Sequence, residues 1–170
     1  MKYFLLILFF TAFECFSQEN KIFTIARKGT VEEAQKCLTE QPNSVNETNL
    51  HGFSPLIIAC YGGNLDVVSF LIEANANINY VSPEGTALMA ATVKGNVAMV
   101  QLLLKKGANT DLTNELGISA LMYAVQFKNV SIIKLLLEYK ANKLLLDKEG
   151  KSAFEYAVYT KNDEIINLLK

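Results

Sequence analysis

The sequence predicts an all-α solenoid built from stacked helix-turn-helix units, and two recurring spacings carry that prediction. Serine and threonine residues suited to begin a helix recur 32, 33 and 33 residues apart, at Ser54, Thr86, Ser119 and Ser152. Asparagines suited to begin a second helix recur at the same intervals, at Asn64, Asn96, Asn129 and Asn162. A self-similar unit of about 33 residues is typical of a solenoid, because helices this short are stable only when neighbouring units cover their apolar faces.

The segment from Glu84 to Asp111 shows the unit most fully. Thr86 stands at a helix N-terminus, where its hydroxyl can accept from the free backbone N–H groups of the first turn. The second helix begins at Asn96, and its apolar residues recur on one face with a period of about 3.6: Met99, Val100, Leu103 and Leu104. Gly107 ends this helix, since glycine adopts the left-handed conformation without a steric cost.

These units resemble ankyrin repeats. The best match to the family motif Thr-Pro-Leu-His-x-Ala is Ser54-Pro55-Leu56-Ile57-Ile58-Ala59, and the family's Leu-Leu followed by Gly-Ala appears as Leu103-Leu104 and Gly107-Ala108. The chain departs from the motif in one respect throughout, because other residues replace its histidine in every unit: Ile57, Met89, Met122 and Glu155. The resemblance implies an all-α, ankyrin-type helix-turn-helix solenoid of four to five stacked repeats.

A second departure concerns the glycines of the family pattern. Lys128 and Lys161 replace the glycine between the two helices, and Asn75 and Lys140 replace the glycine after the second helix. Lysine adopts the left-handed conformation less readily than asparagine or glycine. We therefore expect the fourth unit to be less regular than the third.

The resemblance also divides the chain. Residues 18–170 form the predicted repeat domain, in which a degenerate N-terminal repeat is followed by three full repeats and a C-terminal capping repeat: 20–49, 50–82, 83–114, 115–147 and 148–170. The charged residues of the first repeat would make its outer face polar and solvated, which a terminal repeat requires for solubility. The outer apolar side chains of the last repeat, which ends the sequence, are a predicted weak point.

Residues 1–17 have the composition of a signal peptide. Lys2 precedes an apolar run from Tyr3 to Phe13, and the small residue Ser17 precedes a polar segment. The run is well short of the ~20 residues that a spanning helix needs. The alternatives are a membrane anchor and a lipid attached at Cys15. We expect cleavage and export to the periplasm or the exterior as a soluble chain, with no stable membrane insertion afterwards. The chain is rich in Lys, Asn and Ile and has a single Arg. This composition indicates an AT-rich genome and favours a bacterial source.

Composition excludes several classes of function. Sixteen basic and seventeen acidic residues give a net charge of −1, and the chain has no basic run, so we expect no nucleic-acid partner. His51 is the only histidine, which leaves no catalytic pair, no metal site and no cofactor motif. Cys37 and Cys60 are expected to be buried thiols, with a disulfide between them as the alternative. An enzyme is therefore not expected.

What the resemblance implies is a monomeric protein–protein interaction module that binds another protein on its concave face, here as an exported accessory protein. The alternatives are a structural envelope protein and an enzyme that uses the same scaffold. In ankyrin repeats the concave face is made by the turns and by the ends of the first helices. Carried onto this chain, the turns supply Leu50, His51, Phe53, Leu116 and Ile118. The helix ends supply Tyr61, Val93, Lys94, Phe127 and Tyr159. Phe53 and Ile118 have a second interpretation, as residues packed between neighbouring turns.

Overall fold

The predicted all-α solenoid is confirmed in a computed structural model that describes residues 21–170. The predicted signal peptide and Cys15 lie outside the described residues. The first helices of the successive units are α1, α3, α5, α7 and α9: Lys21–Lys28, Pro55–Gly62, Ala87–Val93, Ala120–Gln126 and Ala153–Thr160. The second helices are α2, α4, α6, α8 and α10: Val31–Glu40, Leu65–Glu73, Val97–Lys105, Val130–Glu138 and Asp163–Leu169. A 3-10 segment, Pro42–Asn46, follows α2.

All eight predicted capping residues begin helices. The side-chain oxygen of each accepts a hydrogen bond from a backbone N–H of the first turn, as Ser54 does from Ile57 and Asn64 from Val67. Thr30 caps α2 in the same manner, and the Glu33 side chain accepts from the backbone N–H of Thr30 in return. Helix starts are therefore set by local hydrogen bonds that the sequence pattern already indicates.

An alanine recurs at one position of every first helix and lets these helices approach closely. The five alanines are each 0% exposed: Ala26, Ala59, Ala91, Ala124 and Ala157. The first helices pack against one another along the whole array, whereas the second helices contact one another less extensively. The array therefore curves, with the first helices as an inner row on its concave side.

Larger apolar side chains fill the space between the two rows. The last four second helices contribute two residues each from successive turns, and all are buried: Val67 and Leu71, Met99 and Leu103, Ile132 and Leu136, Ile165 and Leu169. With the inward residues of the first helices they form one continuous core through all the units. Each unit therefore depends on its neighbours for the burial of its apolar surface.

A ladder of side-chain hydrogen bonds joins consecutive units after their second helices. The side-chain oxygens of Asn46, Asn79 and Asp111 accept from backbone N–H groups one repeat further on, those of Asn77, Asn109 and Asn142, at 2.7, 2.8 and 2.8 Å. The next position in this series is Leu144, which cannot accept a hydrogen bond and is exposed. The ladder thus connects the first four units and stops before the last.

The expectation that the fourth unit is less regular is wrong. The two helices of the third unit span 7 and 9 residues, and those of the fourth unit also span 7 and 9. Lys128 and Lys140 adopt the left-handed conformation, with φ of 54° and 62°. A left-handed residue costs only about 1–2 kcal/mol, which is small beside the burial of two helix faces.

The cysteines are confirmed as buried free thiols. Cys37 and Cys60 are both buried and unbridged, and burial raises the pKa of the Cys60 thiol. Complete burial and a raised pKa both lower thiol reactivity.

None of the helices in residues 21–170 has the length and the hydropathy needed to cross a bilayer.

The outer face of the last unit is open. Val125 of the fourth unit is 0% exposed, whereas Val158, one repeat later, is 50% exposed. Phe154 and Ile166 are likewise only partly buried, although their counterparts one repeat earlier, Leu121 and Ile133, are fully buried. Within residues 21–170, these apolar side chains of the last unit are therefore less covered than their counterparts in the fourth unit.

The free-energy cost of a left-handed lysine can be measured by exchanging lysine and glycine at the equivalent positions 140 and 107. We expect Lys140→Gly to raise the free energy of unfolding by about 0.5–1 kcal/mol, because glycine removes the Cβ that disfavours positive φ and loses part of that gain to chain entropy. Gly107 occupies the equivalent position in the third unit with φ of 89°, and nothing lies within 4 Å of a Cβ added there. Gly107→Lys should therefore lower stability by a similar amount in urea unfolding followed by circular dichroism.

Lys140→Ala is the matched control. It removes the same charge and keeps the Cβ, so it should not reproduce the stabilisation that Lys140→Gly gives. Equal stabilisation by the two variants would show that the lysine charge, and not the backbone conformation, is responsible.

Candidate protein-binding surface

The turns that project beside the inner helices are each held by one polar side chain, which is partly buried in Asn49 and buried in the others. Asn49, Asn114 and Asp147 occupy equivalent positions, and the Oδ1 atom of each accepts from the backbone N–H groups two and four residues later, at 2.8–3.0 Å. The third unit has Val81 at this position, and its turn is closed by Ser82, whose hydroxyl donates to the Gly85 carbonyl at 2.7 Å. This turn is as long as the others, five residues from Val81 to Thr86 as from Asn49 to Ser54, and differs from them in its hydrogen bonds.

Successive turns contact one another directly. The backbone N–H of Glu115 donates to the Pro83 carbonyl at 3.2 Å, and that of Lys148 donates to the Leu116 carbonyl at 3.0 Å. A Cβ on Gly117 would lie 2.9 Å from Cα of Asp147, so a side chain at this position would push the fourth and fifth turns apart. The turns therefore form a continuous edge along the concave side.

Four aromatic side chains lie on the concave side in two pairs, which we call the aromatic cluster: Phe53, Tyr61, Tyr123 and Phe127. The rings of Phe53 and Tyr61 meet edge to face, with centroids 6.0 Å apart and an interplanar angle of 73°. The rings of Tyr123 and Phe127 stack at 6.4 Å and 28°. Tyr61 is 36% exposed and Phe127 is 55% exposed, so both pairs present aromatic surface to solvent.

Glu84 acts electrostatically on both pairs. Partial burial is the main cause that raises the pKa of the Tyr61 hydroxyl, and the Tyr123 hydroxyl and the Glu84 carboxylate add to it. The pKa of Tyr123 is also raised by partial burial and by Glu84, against a lowering hydrogen bond from Asn114. The Glu84 carboxylate thus disfavours ionisation of both tyrosines, which are 62 residues apart in the sequence.

The last unit carries a related arrangement. The ammonium of Lys151 lies 5.9 Å from the centroid of the Tyr159 ring and 2.6 Å from the Glu149 carboxylate. The Tyr156 hydroxyl donates to the second oxygen of Asp147, and burial together with this carboxylate raises the pKa of Tyr156 to about 12. The concave side therefore combines aromatic rings with carboxylates in more than one unit.

The structure places the predicted binding residues in three groups. Most are exposed, and these are Leu50, His51, Tyr61, Lys94, Leu116, Phe127 and Tyr159. Phe53 and Val93 are partly buried, and Phe53 packs against the core as well as against Tyr61. Ile118 is 7% exposed and belongs to the core, so the alternative interpretation, packing between turns, holds for this residue.

Sequence reasoning missed Glu84 and Tyr123. The position of Tyr123 was a usable signal, because Tyr123 and Phe127 are four residues apart and such pairs share one face of a helix. Glu84 offered no such signal, since its effect on tyrosines of the second and fourth units cannot be seen in the repeat pattern. A cavity of about 170 Å³ lies at the first two units, lined by Phe23, Thr24, Arg27, Lys28, Asn49 and Ile58. Within residues 21–170, no group of three or more metal-ligating side chains is placed to hold an ion.

The Tyr156–Asp147 hydrogen bond makes turn stability depend on pH. This bond is the largest cause that holds the pKa of Asp147 below its ordinary value of 3.8, with backbone N–H donors adding to it. A lowered carboxyl pKa contributes stability above the unfolded-state pKa, and this is lost as pH falls through the folded-state pKa. We expect Tyr156→Phe to lower the melting temperature at pH 7, and the deficit to shrink on acidification below about pH 4.

The equivalent pair in the preceding unit is the control. Tyr123 accepts a hydrogen bond of 3.0 Å from the uncharged amide of Asn114. Tyr123→Phe should therefore lower the melting temperature by the same amount at neutral and acidic pH. A deficit for Tyr156→Phe that is equally independent of pH would contradict the role given to the Asp147 carboxylate.

Known proteins match the chain along its helical units. A family model described as ankyrin repeats (3 copies) matches residues 22–114 and 88–170. The chain is 38% identical over 101 residues, 58% of its length, to the ankyrin repeat and SAM domain-containing protein 6 of Rattus norvegicus. It is 34% identical over 115 residues, 66% of its length, to the probable E3 ubiquitin-protein ligase XBOS32 of Oryza sativa subsp. japonica.

These alignments cover 11% and 23% of the two relatives. The similarity therefore concerns a small part of each relative, and what the names of the whole proteins describe stays with those proteins. The family model, in contrast, accounts for all ten helices of residues 21–170. The chain belongs to the ankyrin-repeat family.

Proposed function

We propose that this protein is a non-catalytic interaction module that holds a partner protein on its concave side. Ankyrin repeats are protein–protein interaction modules, which supports the general class. The observation that carries the specific proposal is the aromatic cluster, because its exposed rings lie beside the projecting turns. Aromatic side chains at the centre of an interface commonly supply most of its binding energy.

The concave side offers further apolar surface around this cluster. Leu50 and Leu116 at the turns are exposed, and Tyr159 extends the aromatic surface into the last unit. Contiguous exposed apolar surface on a folded domain usually marks an interaction site. A structural spacer needs only polar residues at these positions, so their aromatic and aliphatic character favours the binding module over the envelope protein.

The proposed site of action is outside the cytoplasm, as an accessory to another exported protein of a bacterial cell. The support is the signal-peptide pattern of residues 1–17 and the AT-rich genome that the amino-acid composition indicates. Cys37 and Cys60 are buried in different units and remain separate thiols, which is compatible with either compartment. The proposal therefore depends on processing of the N-terminus.

Processing is tested by mass spectrometry of the chain purified from its native host. We expect the mature protein to begin at Gln18, because cleavage after Ser17 removes the apolar run together with its charged N-terminus. An intact Met1, or a lipid attached to Cys15, would overturn the soluble exported form.

Partner binding is tested by replacing one exposed ring of each pair. The double variant Tyr61→Ala with Phe127→Ala should lose partner capture from envelope extract, with the partner identified by mass spectrometry, because two anchors are each worth about 2 kcal/mol or more. Circular dichroism and melting temperature should change little, since both side chains are substantially exposed.

Tyr139→Ala with Leu65→Ala is the matched control. These residues are 36% and 37% exposed and belong to the second-helix row, away from the concave side. The control should keep full partner capture. A melting temperature that falls in the Tyr61/Phe127 variant as it does for a core truncation would show that the rings serve packing and not recognition.

A further inference from the structure

We propose that the cavity at the first two units binds a carboxylate, which an aspartate or glutamate side chain of the partner protein supplies. We call it the basic cavity, and its lining comes from the inner helices α1 and α3 and from the turn before α3: Phe23, Thr24, Arg27, Lys28, Asn49 and Ile58. The inference rests on the proposed function, because the carboxylate belongs to a partner docked on the concave side. It adds a contact of defined charge to the apolar contacts of the aromatic cluster.

One residue that lines the basic cavity replaces a tyrosine of the later units. Ile58 has the repeat position of Tyr123 and Tyr156. In the fourth unit the amide of Asn114 donates to the hydroxyl of Tyr123, and in the fifth unit the hydroxyl of Tyr156 donates to the carboxylate of Asp147. Isoleucine has neither a ring nor a hydroxyl, so the second unit lacks this contact between its inner helix and its turn.

The polar side chain that holds the turn of the second unit therefore keeps an unused donor. Asn49 is the counterpart of Asn114, and its Oδ1 accepts from the backbone N–H groups of His51 and Phe53 at 3.0 Å each. Its Nδ2 donates to no acceptor within residues 21–170, where every buried side-chain nitrogen has a partner, so this amide is accessible to solvent. Because Asn49 lines the cavity, an acceptor placed there can take this donor.

The first unit contributes two cations to the same cavity. Arg27 and Lys28 end α1, line the cavity and are exposed. The two ion pairs within residues 21–170 lie in the fourth and fifth units, so neither cation has a counter-ion in this range. The side chains of the described chain that line the cavity include no carboxylate. An anion is therefore the complementary ligand.

Close packing fixes the end of α1 against the second unit. A Cβ on Gly62 would lie 2.3 Å from the backbone carbonyl oxygen of Arg27, so the glycine lets the ends of α1 and α3 meet. The side-chain amide of Asn64 donates to the Gly29 carbonyl, just after α1, at 2.8 Å. The backbone that carries both cations is thus held beside the second unit before any ligand arrives, which lowers the entropic cost of binding.

The volume of the cavity suits one side chain. Pockets for drug-sized ligands measure roughly 300–1,000 Å³, whereas an engineered cavity of about 150 Å³ holds one benzene molecule. At about 170 Å³, the basic cavity belongs to the second class. The carboxylate of an aspartate or glutamate can accept there from the two cations, and such charge-assisted hydrogen bonds are stronger than neutral ones.

The apolar part of the lining favours a carboxylate over a phosphate. Phe23 and Ile58 belong to the core and form a part of the wall that offers no hydrogen-bond donor. A phosphate group carries about −1.5 to −2 charges and three acceptor oxygens, and acceptors left unpaired against an apolar wall are costly. A carboxylate has one charge and two oxygens, and the CH₂ groups of an acidic side chain can contact the apolar wall.

The test uses defined peptides, acetyl-Gly-Ser-X-Ser-Gly-amide, in which X is glutamate, aspartate, glutamine or phosphoserine. A fifth peptide, acetyl-Gly-Ser-Gly-Ser-Gly, carries only a free C-terminal carboxylate. Each is titrated into the purified protein while NMR follows the methyl resonances of Thr24 and Ile58 and the side-chain amide of Asn49. We expect the glutamate and aspartate peptides to shift these resonances in a saturable manner. The glutamine peptide should leave them unchanged, and the other two peptides should bind more weakly than the tighter acidic peptide.

Arg27→Gln should weaken the affinity for the acidic peptides about two- to fivefold, the size of an exposed ion pair. Lys36→Gln is the matched control, because it also removes one positive charge from the first unit, and Lys36 is exposed on α2 and does not line the cavity. This control should bind like the unaltered protein. Both side chains are exposed, so the melting temperatures of the two variants should stay unchanged.

Ile58→Tyr tests the cavity itself. It supplies the ring and the hydroxyl that Tyr123 places beside Asn114, so it should fill the cavity, accept from Asn49 and abolish binding of the acidic peptides. If this variant has a lowered melting temperature, Arg27→Gln decides the question, since its exposed position keeps the fold intact.

Three results would overturn the inference. The first is binding of the glutamine, phosphoserine or free-carboxylate peptide at least as tight as that of the acidic peptides. The second is no binding of any peptide, which would leave the two cations only the role of complementing the dipole of α1. The third is an equal effect of Arg27→Gln and Lys36→Gln, which would mean general charge attraction. None of them touches the concave-side proposal, which fails separately if Tyr61→Ala with Phe127→Ala retains its partner.

Discussion

The close packing of the inner helices is the constraint on which the rest of this structure depends. One alanine in each first helix is fully buried against its neighbours, and a larger side chain there would push the units apart. Because the inner row packs more closely than the outer row, the array curves. The concave side, its turns and its aromatic cluster all derive their positions from this difference between the two rows.

Hydrogen bonds within and between the turns fix the surface along the concave side of the curved array. Asn49, Asn114 and Asp147 each satisfy two backbone N–H groups, and backbone hydrogen bonds connect neighbouring turns. Within residues 21–170, every buried side-chain nitrogen or oxygen has a hydrogen-bond partner. These hydrogen bonds restrict the turn backbone, so a partner on the proposed surface would meet a preorganised scaffold that loses little conformational entropy on binding.

The ladder of side-chain hydrogen bonds links the first four units to one another but does not reach the last unit. Between the first four units, side-chain amides and a carboxylate bond to the following backbone, so that these units are joined by polar contacts as well as by the core. The last unit lacks this link and leaves Val158 half exposed. Stability in such an array is close to a sum over units and interfaces, so the missing link makes the interface before the last unit weaker than the others.

The sequence by itself determined the helix starts, the repeat spacing, the buried thiols and the fold class. These depend on interactions within a few residues or on a periodic apolar face, and both are visible in a linear pattern. Tertiary structure alone decided that Ile118 is buried, that the fourth unit stays regular despite Lys128 and Lys140, and that Glu84 helps to raise the pKa of both Tyr61 and Tyr123. Each of these depends on contacts between units about one repeat apart, and the free energy of such contacts outweighs local preference.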